Sequence, residues 1–361
     1  MSRFAEFVVF SDFHAHNFKA YSRLSNYGIS YLNSRLVDSL VVLDEIRSYC
    51  NANGIETVLF GGDLFHSRQA VRTDVLTSVY SSLKAFCQDG IQLIMIPGNH
   101  DYANRQGNIN SLLPLQDVPG MVVASYASIF NAKGFEVACV PYTDNLEKAK
   151  ENLAHFSKLG DPDPDYPRVL LAHLGMQGAR VGSDYVLVSD GDIGVSDVPQ
   201  DAFDLCLFGH FHEHQKLFKN GYVIGATHQH NWGDSGGSRG FLHVTIEGDD
   251  IDIQQVRPIA PRFMYAESDQ DLDQLERGDI VRCPATASDD FKEKIRKQIT
   301  NIGFLEEVNT VTDVAEEQFS TESLDPNDML SEWIESQSTE LPTEDLLSLG
   351  KELLAEATKD G

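Results

Sequence analysis

The chain has 361 residues, 42% hydrophobic and 23% charged, with 28 basic and 55 acidic side chains and a formal net charge of −27. This length suits one large domain plus a smaller one, and this balance suits a soluble globular protein. No apolar run reaches the roughly 20 residues of a membrane span, and the bulk charge opposes non-specific attraction to nucleic acid.

The N-terminus lacks a basic stretch, an apolar stretch and a small-residue cleavage site in succession, so no secretory leader is expected. Cys50, Cys87, Cys139, Cys206 and Cys283 form no Cys-x-x-Cys pair and read as reduced residues of a cytoplasmic protein. Acid is concentrated late: residues 263–361 hold 8 basic and 25 acidic side chains, net −17.

In chain order, Phe4–Phe10 reads as a strand ending in Ser11-Asp-Phe-His-Ala-His16. Asp12 and His14, two apart, face the same side if the backbone there is extended. Helical spacing predicts a helix over 34–53 and another over 73–88. Between them the strand ending at Phe60 runs into Gly61-Gly-Asp-Leu-Phe-His66, whose glycines permit a sharp turn and close approach. A strand over 91–97 ends in Gly98-Asn-His-Asp101. Next come a strand at 135–140, a helix over 144–159 and a proline-rich loop over 161–167. Arg168–Ala172 is a strand ending at His173, and 204–208 a strand ending in Gly209-His-Phe-His212. Further strands are expected over 222–226, 240–246 and 251–256. This alternation predicts an α/β sandwich of two mixed β-sheets flanked by helices over residues 1–262.

Composition shifts near Arg262. Residues 263–311 read as a small α+β unit, with a strand over 279–283 and a helix over 289–302. Residues 312–361 form an acidic tail with helical pieces at 328–337 and 343–357.

The strand ends deliver Asp12, His14, Asp63, Asn99, His173, His210 and His212. Mixed His and carboxylate ligands suit Mn²⁺, Fe²⁺ or Zn²⁺ better than Ca²⁺ or Mg²⁺. Seven ligands with one shared carboxylate fit two divalent ions about 3.5–4 Å apart, the arrangement that drives phosphoester hydrolysis. Asp-x-His alone recurs by chance, and His173 alone is as readily a core histidine. The ordered set, each member after an apolar run, carries the reading.

Asp12-x-His14, Gly62-Asp63, Gly98-Asn-His-Asp101, His173 and Gly209-His-x-His212 resemble the five motifs of the calcineurin-like metallophosphoesterases. Gly61-Gly-Asp-Leu-Phe-His66 resembles their nuclease branch, the SbcD-type subunit of double-strand-break repair complexes, in versions like those of bacteriophages. The Asp-Arg-Gly of the superfamily's protein phosphatases is absent after this motif. The resemblance covers about residues 5–262, and the C-terminal third in layout alone.

It implies that Asp12, His14, Asp63 and His212 hold one metal and Asp63, Asn99, His173 and His210 the other, with Mn²⁺ the expected ion. It implies that His100 stabilises the transition state or protonates the leaving oxygen, that His66 positions the DNA backbone, and that Asp101 orients His100. The expected activity is 3′→5′ exonuclease and endonuclease cleavage of DNA in recombination, repair or replication. Expected partners are DNA, an SbcC-type ATPase subunit bound through the tail, and a second copy meeting helix 73–88 and segment 104–115. The cell would be a bacterium or a phage-infected host.

His16 reads equally as a solvated loop residue or a neighbour of the ligands, and His214 as surface. His228 and His230 replace the family's Gly-Ser-Pro turn, and substrate contact is one reading of them. Two rivals remain: a small-molecule phosphodiesterase or phosphatase of the same superfamily, and a non-catalytic interaction protein mimicking DNA by its charge.

Overall fold

The computed structural model describes residues 3–28, 30–68, 70–103, 109–159, 165–181, 185–186, 192–308 and 347–350. The chain divides into a larger unit, Met1–Arg282 with Ser288–Glu306, and a smaller one, Cys283–Ala287 with Glu307–Gly361.

Two six-stranded mixed sheets form the larger unit. In the first, Phe4–Phe10, Thr57–Phe60, Gln92–Met95 and Met121–Val123 run parallel. Phe241–Glu247 adds antiparallel to Phe4–Phe10, and Asp250–Val256 extends it at the edge. In the second, Gly221–Val223, Leu205–Gly209, Arg168–His173 and Phe135–Val140 run parallel, with Gln215–Phe218 and Ser128–Ala132 antiparallel at the edges.

Alternation along each strand sorts side chains into layers. Phe7 and Val9 point between the sheets and join Leu59, Ile94, Val137, Val169, Leu171 and Leu207. Val8, Phe10, Val58 and Phe60 point the other way, onto helix α1 (Ser34–Asn53) and helix α2 (Thr73–Gln88) through Leu36, Leu40, Val79 and Phe86. The outer face of the second sheet receives helix α3 (Leu146–Phe156) through Ala149, Leu153 and Phe156. Strands covered on both faces are apolar throughout, which is why the parallel strands read as continuous hydrophobic runs. Each fully buried Leu or Phe contributes about 1.5–3 kcal/mol.

Local chemistry sets the helix ends. The Asn33 side chain accepts from the amides of Arg35 and Leu36, a cap worth about 1 kcal/mol, and Gly54 closes α1 in the left-handed conformation. Asn145 caps α3, which therefore starts at Leu146, and its expected last turn, Ser157–Leu159, tightens to 3₁₀.

A hairpin of Leu24–Tyr27 and Ser30–Asn33 was not legible, because its Leu24 and Tyr31 are 76% and 73% exposed and supply no inward apolar pattern. The strand expected over 222–226 ends at Val223; Ala226 instead makes a single bridge to Ser11. Beyond residue 262, Phe263–Tyr265, Ile280–Pro284 and Phe304–Val308 form a three-stranded sheet, accompanied by helix α4 (Asp289–Ile299). The expected helix at 328–337 lies outside the described residues. Of that at 343–357, residues 347–350 are described and helical. Of segment 104–115, residues 104–108 lie outside, and Leu113–Asp117 is a 3₁₀ turn. No helix among the described residues is long and apolar enough to cross a membrane. All five cysteines are free.

Candidate metal centre

Parallel strands in both sheets end at the same edge of the sandwich, and the polar tips meet there. Asp12 and His14 follow Phe4–Phe10, Asp63 follows Thr57–Phe60, and Asn99 follows Gln92–Met95. His173 ends its own strand, and His210 and His212 follow Leu205–Gly209. This is the C-terminal edge of parallel strands, where α/β folds gather ligands.

The backbone there is unusual. Asp12, His14, Asp63 and His210 have φ of 50°, 48°, 61° and 102°. Non-glycine residues rarely adopt such values, which cost about 1–3 kcal/mol and cluster at functional sites. The extended backbone expected at Asp12 and His14 is therefore replaced by left-handed turns, and His210 too leaves the strand through one. Amide hydrogen bonds from Asp12, Phe13 and His14 to the carbonyls of Gly62 and Asp63 lock the first two loops together.

Ligand-capable atoms of Asp12, His14 and His212 lie within 4.8 Å of one another, as do those of Asp12, Asp63 and His173. His14 Nε2 is 3.6 Å from Asp63 Oδ2 and 3.3 Å from His212 Nε2. On the other side, His173 Nε2 is 3.6 Å from Asp63 Oδ1 and 3.1 Å from Asn99 Oδ1, which is 3.0 Å from His210 Nδ1. Asp63 thus stands between His14 on one side and His173 on the other, and Asp12 lies within reach of both groups.

Tautomers show what these groups offer. His173 Nδ1 donates to the Gly61 carbonyl at 2.7 Å; a carbonyl only accepts, so Nε2 keeps a lone pair facing Asn99 and Asp63. His212 Nδ1 donates to Asp234 at 2.9 Å, so its Nε2 lone pair faces His14. Carboxylate-to-histidine pairs of this kind orient metal ligands. Asp234 had no signal in the sequence, since 22 residues separate it from His212. His14 departs from the pattern, its Nδ1 being buried without a partner.

The electrostatics agree. Burial pushes Asp12 up to about 6, and burial with the neighbouring Asp12 and Asp101 charges raises Asp63 well above the usual carboxylate range. Burial and neighbouring rings hold His14 and His173 well below their ordinary value and His210 at about 4. His212 is the exception: burial lowers it, but the Asp234 hydrogen bond and charge outweigh this and raise it, so without a cation a proton competes for the Nε2 position that a metal would take. Buried acceptors converging on one another without a cation are costly, and divalent ions relieve that cost. The donor set fits two such ions.

His100 sits at the rim. Its amide donates to Asp63 Oδ1 at 2.7 Å, and its Nδ1 donates to the His66 carbonyl at 2.7 Å, which leaves Nε2 outside that bond; its ring lies 4.7 Å from the His14 ring. The exposed His66 ring stacks on it with centroids 5.5 Å apart. Asp101 does not orient His100 as expected. Its buried carboxylate accepts from the amides of Gly98, Asp63, Leu64 and Phe65 and from the Ser111 hydroxyl, because four converging amides satisfy it. Its role is to shape the Asp63 loop, and it is the His66 carbonyl that fixes the His100 ring.

His228 and His230 are buried, 6% and 4% exposed, which removes substrate contact as their reading. His230 Nε2 donates to the Asp12 carbonyl at 3.0 Å, and His228 Nε2 lies 3.2 Å from Ser39 Oγ. His214, expected at the surface, is half-buried and donates to the Val223 carbonyl. His16 is half-buried beside His66 and Phe18.

The calcineurin-like phosphoesterase family model matches residues 5–214, which carry all seven strand-end residues. The chain is 24% identical over 208 residues to protein 244L of Invertebrate iridescent virus 6, whose name calls it a phosphoesterase, spanning 55% of this chain and 68% of that protein. It is 24% identical over 214 residues to the DNA double-strand break repair protein Mre11 of Methanocaldococcus jannaschii, spanning 56% of this chain and 55% of that protein. Among solved structures, a dimetal phosphatase from Danio rerio aligns with a TM-score of 0.41 at 12% identity, over 72% of this chain and 98% of that chain.

Proposed function

The chain belongs to the calcineurin-like phosphoesterase family, and from that premise we propose that it is a metal-dependent DNA nuclease, cleaving phosphodiester bonds as exonuclease and endonuclease. The observation that carries this reading is the pair of acceptor groups on a shared Asp63. In this reading Asp12, His14, Asp63 and His212 hold one ion and Asp63, Asn99, His173 and His210 the other, with Mn²⁺ as the metal. A bound pair supplies Lewis-acid activation of water and neutralises phosphoryl charge.

The chain's own residues do the rest. Asp63 and Asp101 fix the loop that presents the acceptors. Asp234 holds His212 in the Nδ1–H tautomer, and the Gly61 carbonyl does the same for His173. With Nδ1 committed to the His66 carbonyl, His100 keeps Nε2 as the atom that would carry a proton to the leaving oxygen. Burial lowers the pKa of His100 in the free protein, and a neighbouring phosphate oxyanion raises it, so the proton arrives with the substrate.

DNA as substrate is supported by the similarity to Mre11 and by His66, placed against His100 at the open rim. The same complex reading assigns the tail to an ATPase partner and a second copy to helix α2. The net charge of −27 favours a second reading, a small-molecule phosphodiesterase. The deciding experiment is Mn²⁺-dependent digestion of end-labelled linear duplex DNA by wild type, Asp63→Ala and His66→Ser. Cleavage by wild type, none by Asp63→Ala and loss of duplex cleavage by His66→Ser support the nuclease. Turnover of a small phosphodiester without DNA cleavage, even with the ATPase partner added, supports the second reading.

A further inference from the structure

The Asn99 amide can sit two ways round. With Oδ1 inward it faces Asp63 Oδ2, His210 Nδ1 and His173 Nε2 at 3.3, 3.0 and 3.1 Å, and its amide nitrogen faces Arg68 Nη2 at 2.7 Å. Turned over, its NH₂ faces those three inner atoms with two hydrogens to donate among them, and its oxygen accepts from Arg68. The choice is electrostatic. His173 Nε2 is a lone pair, because Nδ1 is spent on Gly61. Without a cation the inward oxygen therefore meets acceptors, and the outward one is favoured. With a cation among the acceptors the oxygen must point inward, and the guanidinium is left donor-to-donor with the NH₂.

Arg68 is placed to use that release. It is exposed, five residues after Asp63, and its charge is felt by Asp63, His100 and His210. Among the described residues no carboxylate pairs with it. Guanidinium donors at a rim, lacking a carboxylate and turned from their amide acceptor, suit the non-bridging oxygens of a phosphate.

Building on the two-ion reading above, we propose that Arg68 is the phosphate clamp of this site and that the Asn99 amide sets it. Without metal, Asn99 holds Arg68; with metal, Asn99 turns its oxygen to the ion and frees Arg68 for the substrate's phosphoryl oxygens. The chain therefore binds its two charged ligands in order, cation before phosphate. In a protein this acidic, a basic group at the mouth also opposes the repulsion a phosphate meets on approach.

The test uses the whole chain and two calorimetric titrations on wild type, Arg68→Met and Arg68→Lys. The first is Mn²⁺ into protein; the second is inorganic phosphate into Mn²⁺-loaded protein. Arg68→Met is expected to weaken phosphate about 10-fold or more, the value of a charge-assisted hydrogen bond. It is also expected to tighten Mn²⁺ about two- to fivefold in the absence of phosphate, because Asn99 loses its competing donor. Arg68→Lys should fall between. If wild type binds Mn²⁺ and phosphate but Arg68→Met matches it in both titrations, the clamp is overturned and the two-ion reading stands. If wild type binds no Mn²⁺, both fall. A circular dichroism spectrum like that of wild type shows that the exposed substitution leaves the fold in place.

Discussion

Asp234 Oδ1 lies 2.9 Å from His212 Nδ1, while its other oxygen accepts the His230 amide at 2.9 Å and Arg239 Nη2 approaches Oδ1 at 3.4 Å. Burial opposes the charge on Asp234, but His212 and Arg239 hold its pKa far below the usual range. One carboxylate thus fixes the ring of one expected ligand and the loop beneath another. Asp234→Asn keeps the shape and removes the charge. It is expected to weaken Mn²⁺ binding about 10–100-fold, the usual cost of losing such a partner. Calorimetric titration checks it, and unchanged affinity would remove Asp234 from the site.

Asp101 predicts a different kind of loss. It touches none of the seven expected ligand side chains, yet four amides of the two acceptor-bearing loops end on it. Asp101→Asn puts an NH₂ against N–H donors and is expected to cost about 1.5–3 kcal/mol for the first charged hydrogen bond lost. Thermal unfolding of metal-free protein should show a lower Tm. A variant as stable as wild type but inactive would point instead to a direct chemical role.

Gly98 predicts a loss of site without a loss of fold. A Cβ there would overlap Asp63 Oδ1 and approach His173 Cε1 at 2.6 Å. Gly98→Ala is expected to abolish high-affinity Mn²⁺ binding while the apolar layers stay packed. The checks are metal titration beside near-ultraviolet circular dichroism; wild-type affinity would mean that the loops have more room than these contacts allow.

Acid should unfold the metal-free chain. A histidine whose folded pKa lies below its unfolded value of 6.5 gives stability that is present above 6.5 and lost as pH falls. Burial first, then neighbouring rings and cations, places His210 and His66 at about 4 and His228 at about 3, with His14, His173 and His230 well below normal. Asp12, Asp38 and Asp101, lifted by burial to about 6, and Asp63, lifted well above its usual range, act oppositely, losing stability as pH rises from 3.8. His212, raised by Asp234, also acts oppositely, above pH 6.5. The lowered histidines, with His16, His100 and His214 among them, outnumber these five, so Tm should drop between pH 6.5 and 4. Mn²⁺ needs deprotonated ligands and should raise Tm more at pH 7.5 than at pH 5.5. A flat Tm across that range would contradict the buried, neutral histidines.

The helices and buried parallel strands were legible because period and burial coincide: Phe4–Phe10 and Thr73–Gln88 begin and end where their apolar pattern does. The ligand positions were legible too, as polar tips after apolar runs. What joins them was not. The left-handed turns at Asp12 and His14 carry no glycine to announce them, those at Asp63 and His210 fall on the residue after the glycine, and the amides converging on Asp101 come from loops far apart in sequence. Arg68 and Asp234 lack any local pattern, since each acts on a residue that only the fold brings near.

Four of the seven ligand positions ride on the first sheet and three on the second, so neither half of the sandwich holds a complete set. A chain emerging N-terminus first has Asp12, His14, Asp63 and Asn99 in hand by residue 99, but must wait for His173, His210 and His212 and for the second sheet to seat against the first. If the centre cuts DNA, a half-made or half-folded copy has no blade, and the assembly of the sandwich is itself the safety catch.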